Sequence, residues 1–358
     1  MAVAIVSGSA GLIGSQAARH FAELGLDVVG IDNDMRRYFF GDESSTAWVA
    51  QALSLELAGR YTHLYIDIRD RAELAATFQR YGRSVALIVH AAAQPSHDWA
   101  SKEPLTDFEI NAVGTLNLLE LARQHCPDNS FVFCSTNKVY GDRPNRLPFV
   151  EEGKRWEIDP GHPYVAGITE DMPIDHCLHS IFGAGKVAAD VMVQEYGRYF
   201  GMNTVAFRCG TLTGPTHAAS EQHGFLAYLM RCAMQRQTYT IHGYRGKQVR
   251  DAIHCYDLIT AFEAYFRSPR PGEVYNMGGS RSSHCSVREA IELAEELIGE
   301  PMNTRYSDAN RLGDHVWWVS GIQRFRRDYP EWDLTYDVPA ILAEIYSTNA
   351  DRWKPGRR

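Results

Sequence analysis

Three glycines carry the first chemical signal in this chain. Gly8-Ser9-Ala10-Gly11-Leu12-Ile13-Gly14 follows a short apolar run and leads straight into an amphipathic helical pattern. At such a turn glycines permit the tight bend, let backbone N–H groups approach a pyrophosphate, and let the helix pack closely on the strand. The helix N-terminus adds partial positive charge at the same spot. The next apolar run, Val28-Val29-Gly30-Ile31-Asp32, ends in an acid placed to accept from ribose hydroxyls. A carboxylate there repels a 2′-phosphate, which favours NAD over NADP. The bland alternatives are a simple βα turn and a solvated strand-end acid. Strand, turn, helix and acid in this order favour a dinucleotide cradle built from Gly8, Gly11, Leu12, Ile13, Gly14, Asp32 and Asn33, with Asp67 and Ile68 near the adenine by analogy of position.

Other polar residues sit in loops that follow strands. Gln94, His97 and Thr211 belong at the C-terminal edge of a parallel sheet, where ligands collect, and are assigned to a small polar substrate. His176-x-x-His179 has no third ligand at a suitable spacing, so no metal is expected. The cysteines number seven, an odd count, and form no CxxC pair, which argues for reduced thiols in a cytoplasmic protein. The N-terminal residues run directly into a strand and show no charged leader or cleavage site. A formal charge of −8 provides no general attraction to nucleic acid or anionic membrane, so a phosphate-bearing ligand depends on local cations and backbone amides.

The elements that must position these residues follow from the hydrophobic pattern. Apolar runs at 3–7, 28–32, 64–67, 86–91, 131–135 and 204–208 read as strands, and amphipathic stretches at 12–24, 113–124 and 186–199 as helices. Their alternation predicts an α/β fold: a Rossmann-type doubly wound parallel sheet, joined to a smaller C-terminal substrate-binding cap domain. The stretch 33–60 is too long for a simple βα loop and is expected to carry its own helix. The expected division is 1–210 for the NAD-binding domain with a returning segment at about 236–265, then 211–235 and 266–350 for the cap. A helix is expected around 225–234, and the tail, 351–358, reads as disordered.

Several motifs together resemble the extended short-chain dehydrogenase/reductases that act on nucleotide sugars, the NAD-dependent epimerase/dehydratase family. They are the glycine triplet, His90-Ala91-Ala92-Ala93, Asn111-Ala112-Val113-Gly114-Thr115, Ser135-Thr136 before Val139-Tyr140-Gly141, and Arg250-Asp251-x-x-His254. The segments 135–142 and 246–251 look most like those of the CDP-paratose (CDP-tyvelose) 2-epimerases. The resemblance implies transient oxidation of a sugar hydroxyl by bound NAD and hydride return to the opposite face. It implies further cofactor contacts from Ala91, Ala93, Asn111, Lys186 and Cys209, and a homodimer formed through two long helices. Asn137-Lys138 replaces the Asp-Glu pair of sugar 4,6-dehydratases; an amide and an ammonium cannot do the work of two carboxyls in eliminating water.

By the same resemblance Thr136, Lys186 and Asn111 belong to the catalytic machinery, but the tyrosine of its Tyr-x-x-x-Lys motif is Phe182. Phenylalanine cannot shuttle a proton, so the substitute is His179, Tyr164, Lys186 itself or an ordered water. Arg250 and Arg311 match positions that hold a diphosphate, which a guanidinium fork suits. Asp314 matches a position on the nucleotide ribose, with a surface ion pair as its alternative. Thr136, Asn137, Gln94, His97 and Thr211 complete the expected substrate side, and His223-Gly224-Phe225 is a candidate closing segment. The leading expectation is an epimerase; other NAD-dependent nucleotide-sugar dehydrogenation or reduction, or an inactive NAD/nucleotide-sugar-binding sensor, are the alternatives.

Overall fold

The computed structural model describes residues 2–218, 220–221, 224–310 and 313–353. The chain forms two compact units: Met1–Val139 with Ser180–Arg208 and Ile259–Tyr275, and Tyr140–His179 with Cys209–Leu258 and Asn276–Arg358. The segment 140–179, grouped with the first domain on sequence grounds, thus lies in the second unit. The segment returning to the first is Ile259–Tyr275.

The first unit is built on strands β1 (Val3–Ser7), β2 (Asp27–Ile31), β3 (Tyr61–Leu64), β4 (Val85–His90), β5 (Ser130–Thr136), β6 (Asn203–Cys209) and β7 (Glu273–Met277). Their order is β7-β6-β5-β4-β1-β2-β3, with β1 parallel to both β2 and β4, β2 to β3, and β4 to β5. Every residue of β1 is buried, the mark of a strand covered on both faces. The helices are α1 (Leu12–Glu23), α2 (Met35–Phe40), α3 (Ala47–Glu56), α4 (Arg71–Tyr81), α5 (His97–Lys102), α6 (Pro104–Phe108), α7 (Gly114–His125), α8 (Ser180–Phe200) and α9 (Cys255–Arg267). A single π-type turn, Glu109–Val113, joins α6 to α7.

Three expectations are corrected here. The third strand is Tyr61–Leu64, not 64–67: register with Val28–Ile31 selects it, and the polar Thr62-His63 pair hid it from the apolar pattern. The insertion at 33–60 holds two α-helices, α2 and α3, instead of one. At the C-terminus, 351–353 form a turn in which Trp353 is buried among the second unit's core residues; 354–358 lie outside the described residues.

The second unit contains the antiparallel hairpin Phe149–Glu152/Arg155–Ile158 and a sheet around Val249–His254. That strand pairs with Thr211–Thr213, His284–Ser286 and Trp317–Trp318. Helices Phe225–Gln235, Val287–Ile298 and Val338–Asn349 pack together beside it. Ser286 begins the second of these with a capping box: its Oγ accepts from Glu289 N–H while Glu289 accepts from Ser286 N–H. Among the described residues no helix is long and apolar enough to cross a membrane, and no cluster of His, Cys, Asp or Glu is placed to hold a metal ion.

Candidate active site

In the first unit, the turn from β1 into α1 is shaped around missing side chains. Gly8 has φ +71°, and a Cβ there would lie 2.7 Å from the Ala92 nitrogen; a Cβ on Gly14 would lie 2.0 Å from the Gly8 carbonyl oxygen. Gly11 N–H donates to that carbonyl at 3.0 Å. Leu12 and Ile13 open α1, whose first turn holds no acid, so its N-terminal partial charge is left for a ligand. Asp32 is tied to this loop: Oδ2 accepts from Ala10 N–H at 3.0 Å and Oδ1 from Asp34 N–H at 2.8 Å. Burial pushes its carboxyl up, and the two amides partly oppose that.

Beside Asp32 lies a pocket lined by Asn33, Asp34, Met35, Tyr65, Asp67 and Arg69, among others. Asn33 donates to Asp67 at 2.9 Å, and Arg69 donates to it at 2.7 and 3.0 Å. Burial alone would raise Asp67, but the bonds and charge of Arg69 outweigh it and hold the carboxyl low. Ile68 instead turns inward, where a Cβ on Gly114 would meet it at 2.6 Å. A glycine turn joined by hydrogen bonds to a strand-end acid, followed by a polar pocket lined from Asn33 to Asp67, has the donor and acceptor chemistry that an adenine dinucleotide needs.

At the ends of β4 and β5 a second set of groups is held rigidly. His90 is buried between Ser7 Oγ, 2.7 Å from Nδ1, and Thr115 Oγ1, 2.9 Å from Nε2; burial, with the Lys186 charge, lowers its pKa to about 3, so it stays neutral. Ala91 N–H donates to Ser7 O as the chain enters the Ala91–Ala93 loop. Asn111, in the π-type turn, accepts from Gln94 N–H at 3.2 Å and donates to Gln94 O at 3.0 Å and Asp107 Oδ1 at 2.9 Å. The Gln94 side chain is buried and donates to Asp107 and the Ser96 carbonyl, so in this arrangement it shapes the loop.

Lys186 is buried on α8, one turn after Phe182; its ammonium donates to the Cys134 carbonyl at 3.2 Å and lies 4.5 Å above the Phe133 ring. Thr136 ends β5, its Oγ1 accepting from Lys138 N–H at 3.2 Å and donating to Asn137 Oδ1 at 3.4 Å. What locks β5 to α8 is a buried cluster: Ser135 donates to Asp190 at 2.6 Å, and Arg208 grips the same carboxylate at 2.8 and 3.1 Å. Phe182 is buried, with its ring 4.9 Å from that of His97, whose Nδ1 is 2.8 Å from Ser180 Oγ. Asp107, Asp190 and Ser180 were not singled out from sequence. Asp107 could have been found by its i,i+4 spacing from Asn111 on one helical face.

In the second unit, Arg250 and Asp314, expected on different parts of a ligand, form an ion pair with each other, and a second Arg250 nitrogen donates to Val249 O at 2.7 Å. Asp314 also accepts, through its carbonyl, from Asn145. Thr211 lies on the neighbouring strand, paired with Ala252, and Cys209 is buried at the end of β6. Asp251 is fully buried, and burial raises its carboxyl to about 6 despite N–H donors from Ser280 and Ser320. His179 has its Nε2 3.3 Å from Cys177 Sγ. Burial and the neighbouring Asp171 push the Tyr164 phenol up, the wrong direction for a base. Arg311 and His223 lie outside the described residues.

The strand order, glycine turn and strand-end acid define a dinucleotide-binding α/β protein. The NAD dependent epimerase/dehydratase family matches residues 4–278. CDP-paratose 2-epimerase of Salmonella typhi is 30% identical over 308 residues, 83% of this chain and 85% of that protein. dTDP-glucose 4,6-dehydratase 1 of Escherichia coli K12 is 28% identical over 346 residues, covering 88% and 87%. Among solved structures, UDP-glucose 4-epimerase of Thermus thermophilus in complex with NAD matches with a TM-score of 0.76 at 22% identity, over 98% of this chain and 99% of that one. dTDP-glucose 4,6-dehydratase of Bacillus anthracis in complex with NAD gives 0.77 at 21%, over 99% of each. The chain belongs to the NAD-dependent epimerase/dehydratase family, and its cofactor is NAD.

Proposed function

We propose that this protein is an NAD-dependent epimerase of a nucleoside-diphosphate sugar, resembling the CDP-sugar 2-epimerases, that works through a transient keto-sugar. The observation that carries the reading is the polar end of β5. Thr136 is fixed beside α8, which bears Lys186, and the residues after it are Asn137 and Lys138. Thr136 offers a hydroxyl to orient the sugar hydroxyl, Lys186 an ammonium for the nicotinamide ribose and its field, and Asn111 a fixed amide in the same unit. Two carboxyls for eliminating water are missing from positions 137 and 138, so the dehydratase chemistry named for some relatives lacks its acid/base pair here. In the second unit Arg250 would exchange its bond with Asp314 for the diphosphate, freeing that carboxylate for ribose hydroxyls. NAD when bound supplies the hydride acceptor; the chain's residues orient the sugar and handle its proton.

Phe182 favours a second reading, an inactive binding module that senses nucleotide sugar. Incubation with CDP-, UDP-, GDP- and dTDP-sugars in deuterated water separates the two. An inverted sugar with no carbon-bound deuterium and no net NADH supports the epimerase; accumulating NADH indicates a dehydrogenase; binding without product indicates the sensor.

A homodimer belongs to the same proposal. Leu105 and Phe108 on α6, Val113 in the π-type turn, Leu116 on α7, and Ile181, Val191 and Tyr199 on α8 are exposed apolar residues, the kind of surface a second copy of the chain would bury. A monomer by light scattering would remove that part.

A further inference from the structure

Resting on the epimerase reading, we infer that His97 is the acid/base group standing in for the absent tyrosine hydroxyl, exchanging the sugar-hydroxyl proton through its imidazole. The Phe182 ring occupies the motif position one turn before Lys186 on α8, and the ring in contact with it is that of His97, 4.9 Å away at an interplanar angle of 69°. An imidazole is the side chain best suited to accept and return a proton near neutral pH.

The surroundings fix that ring. His97 opens α5, whose N-cap Ser96 accepts from Trp99 N–H at 3.3 Å. The Trp99 indole donates to the Phe39 carbonyl, and its ring packs 5.5 Å from Phe39 and 5.4 Å from Tyr38, tying α5 to α2. On the other side Ser180 holds His97 Nδ1 at 2.8 Å, while its own Oγ accepts from Gly183 N–H at 3.3 Å. Ser180 does this from φ +64°, a left-handed conformation that a serine holds only at some cost. In the role inferred here Nδ1–H donates to Ser180 Oγ, and Nε2 is the ring nitrogen that takes up and returns the proton.

The step balances as follows. Bound NAD would accept the hydride of the sugar C–H; as the carbon–oxygen bond becomes a carbonyl, the hydroxyl proton passes to His97 Nε2. In the return step the carbonyl carbon takes the hydride back on its other face, and the oxygen recovers its proton from Nε2.

His97→Asn should lower kcat by about 10²–10⁴-fold with NAD still bound. Phe182→Tyr in the His97→Asn background should restore at least tenfold of the loss. In the wild-type NAD-loaded protein, addition of the turned-over sugar nucleotide should shift the His97 Nε2 resonance in ¹⁵N-histidine NMR, a readout independent of turnover and of variant folding. Retention of more than about a tenth of kcat in His97→Asn, or an unmoved Nε2 resonance, overturns the His97 role alone. A wild-type protein that converts none of the four sugar-nucleotide classes overturns the epimerase reading and this inference with it.

Discussion

Substituting Asp190 by Asn removes the charge at the centre of the cluster that joins β5 to α8. Asp190 is fully buried; Arg208 grips its carboxylate at 2.8 and 3.1 Å, Ser135 donates to it at 2.6 Å and Gln194 at 2.7 Å. The carboxamide keeps the volume but removes the charge that faces a guanidinium whose side chain is 6% exposed. Breaking one side of such a buried pair costs about 3–5 kcal/mol. At roughly 2–4 °C per kcal/mol for a domain of this size, the melting temperature should fall by about 6–20 °C. Replacing both partners, Asp190→Leu with Arg208→Met, removes the two buried charges together and should recover most of that loss. Since Ser135 precedes Thr136 and Asp190 follows Lys186 by one turn, Asp190→Asn should also lower kcat more than it changes NAD content. Thermal and urea unfolding of the single and double variants, with bound NAD measured after heat release, provide the comparison. A loss below about 1 kcal/mol, or a double variant no more stable than the single one, would refute the argued role of the cluster.

Gly14→Ala should give a protein that no longer retains NAD, because the added Cβ falls 2.0 Å from the Gly8 oxygen; cofactor content equal to wild type would contradict the cradle. Lys186→Met should collapse turnover by 10²-fold or more, and unchanged turnover would remove Lys186 from the mechanism. His90, held to about 3 when folded against an ordinary 6.5, binds its proton more readily when unfolded. Its contribution to stability is therefore complete above about pH 6.5 and lost as pH falls toward 3, roughly 5 kcal/mol at most. His90→Gln should flatten the stability curve over that window, whereas a curve parallel to wild type would contradict the assignment.

The parts of this molecule that could be read from the chain were those whose causes are local. The first strand, the glycine turn, α1 and Asp32 fall within 32 residues, and each has its own signature of apolar run, missing side chain or terminal acid. The third strand escaped because two of its four residues, Thr62 and His63, are polar and their pairing with β2 is a tertiary fact. The hairpin at Phe149–Glu152/Arg155–Ile158 left no apolar run to notice, since one strand ends in two glutamates. The Arg250–Asp314 pair joins residues 64 apart, and Ser135, Asp190 and Arg208 meet only once sheet and helix have formed. His97 could be named as a polar loop residue, but its partner Ser180 lies 83 positions away.

Rapid mixing of the NAD-loaded protein with its sugar nucleotide, with reduced nicotinamide followed by absorbance, tests whether the sugar passes through a ketone. Transient oxidation predicts a signal that rises and decays to baseline as the inverted sugar accumulates. Inverted sugar forming with no such transient, and with solvent deuterium on the inverted carbon, would contradict it.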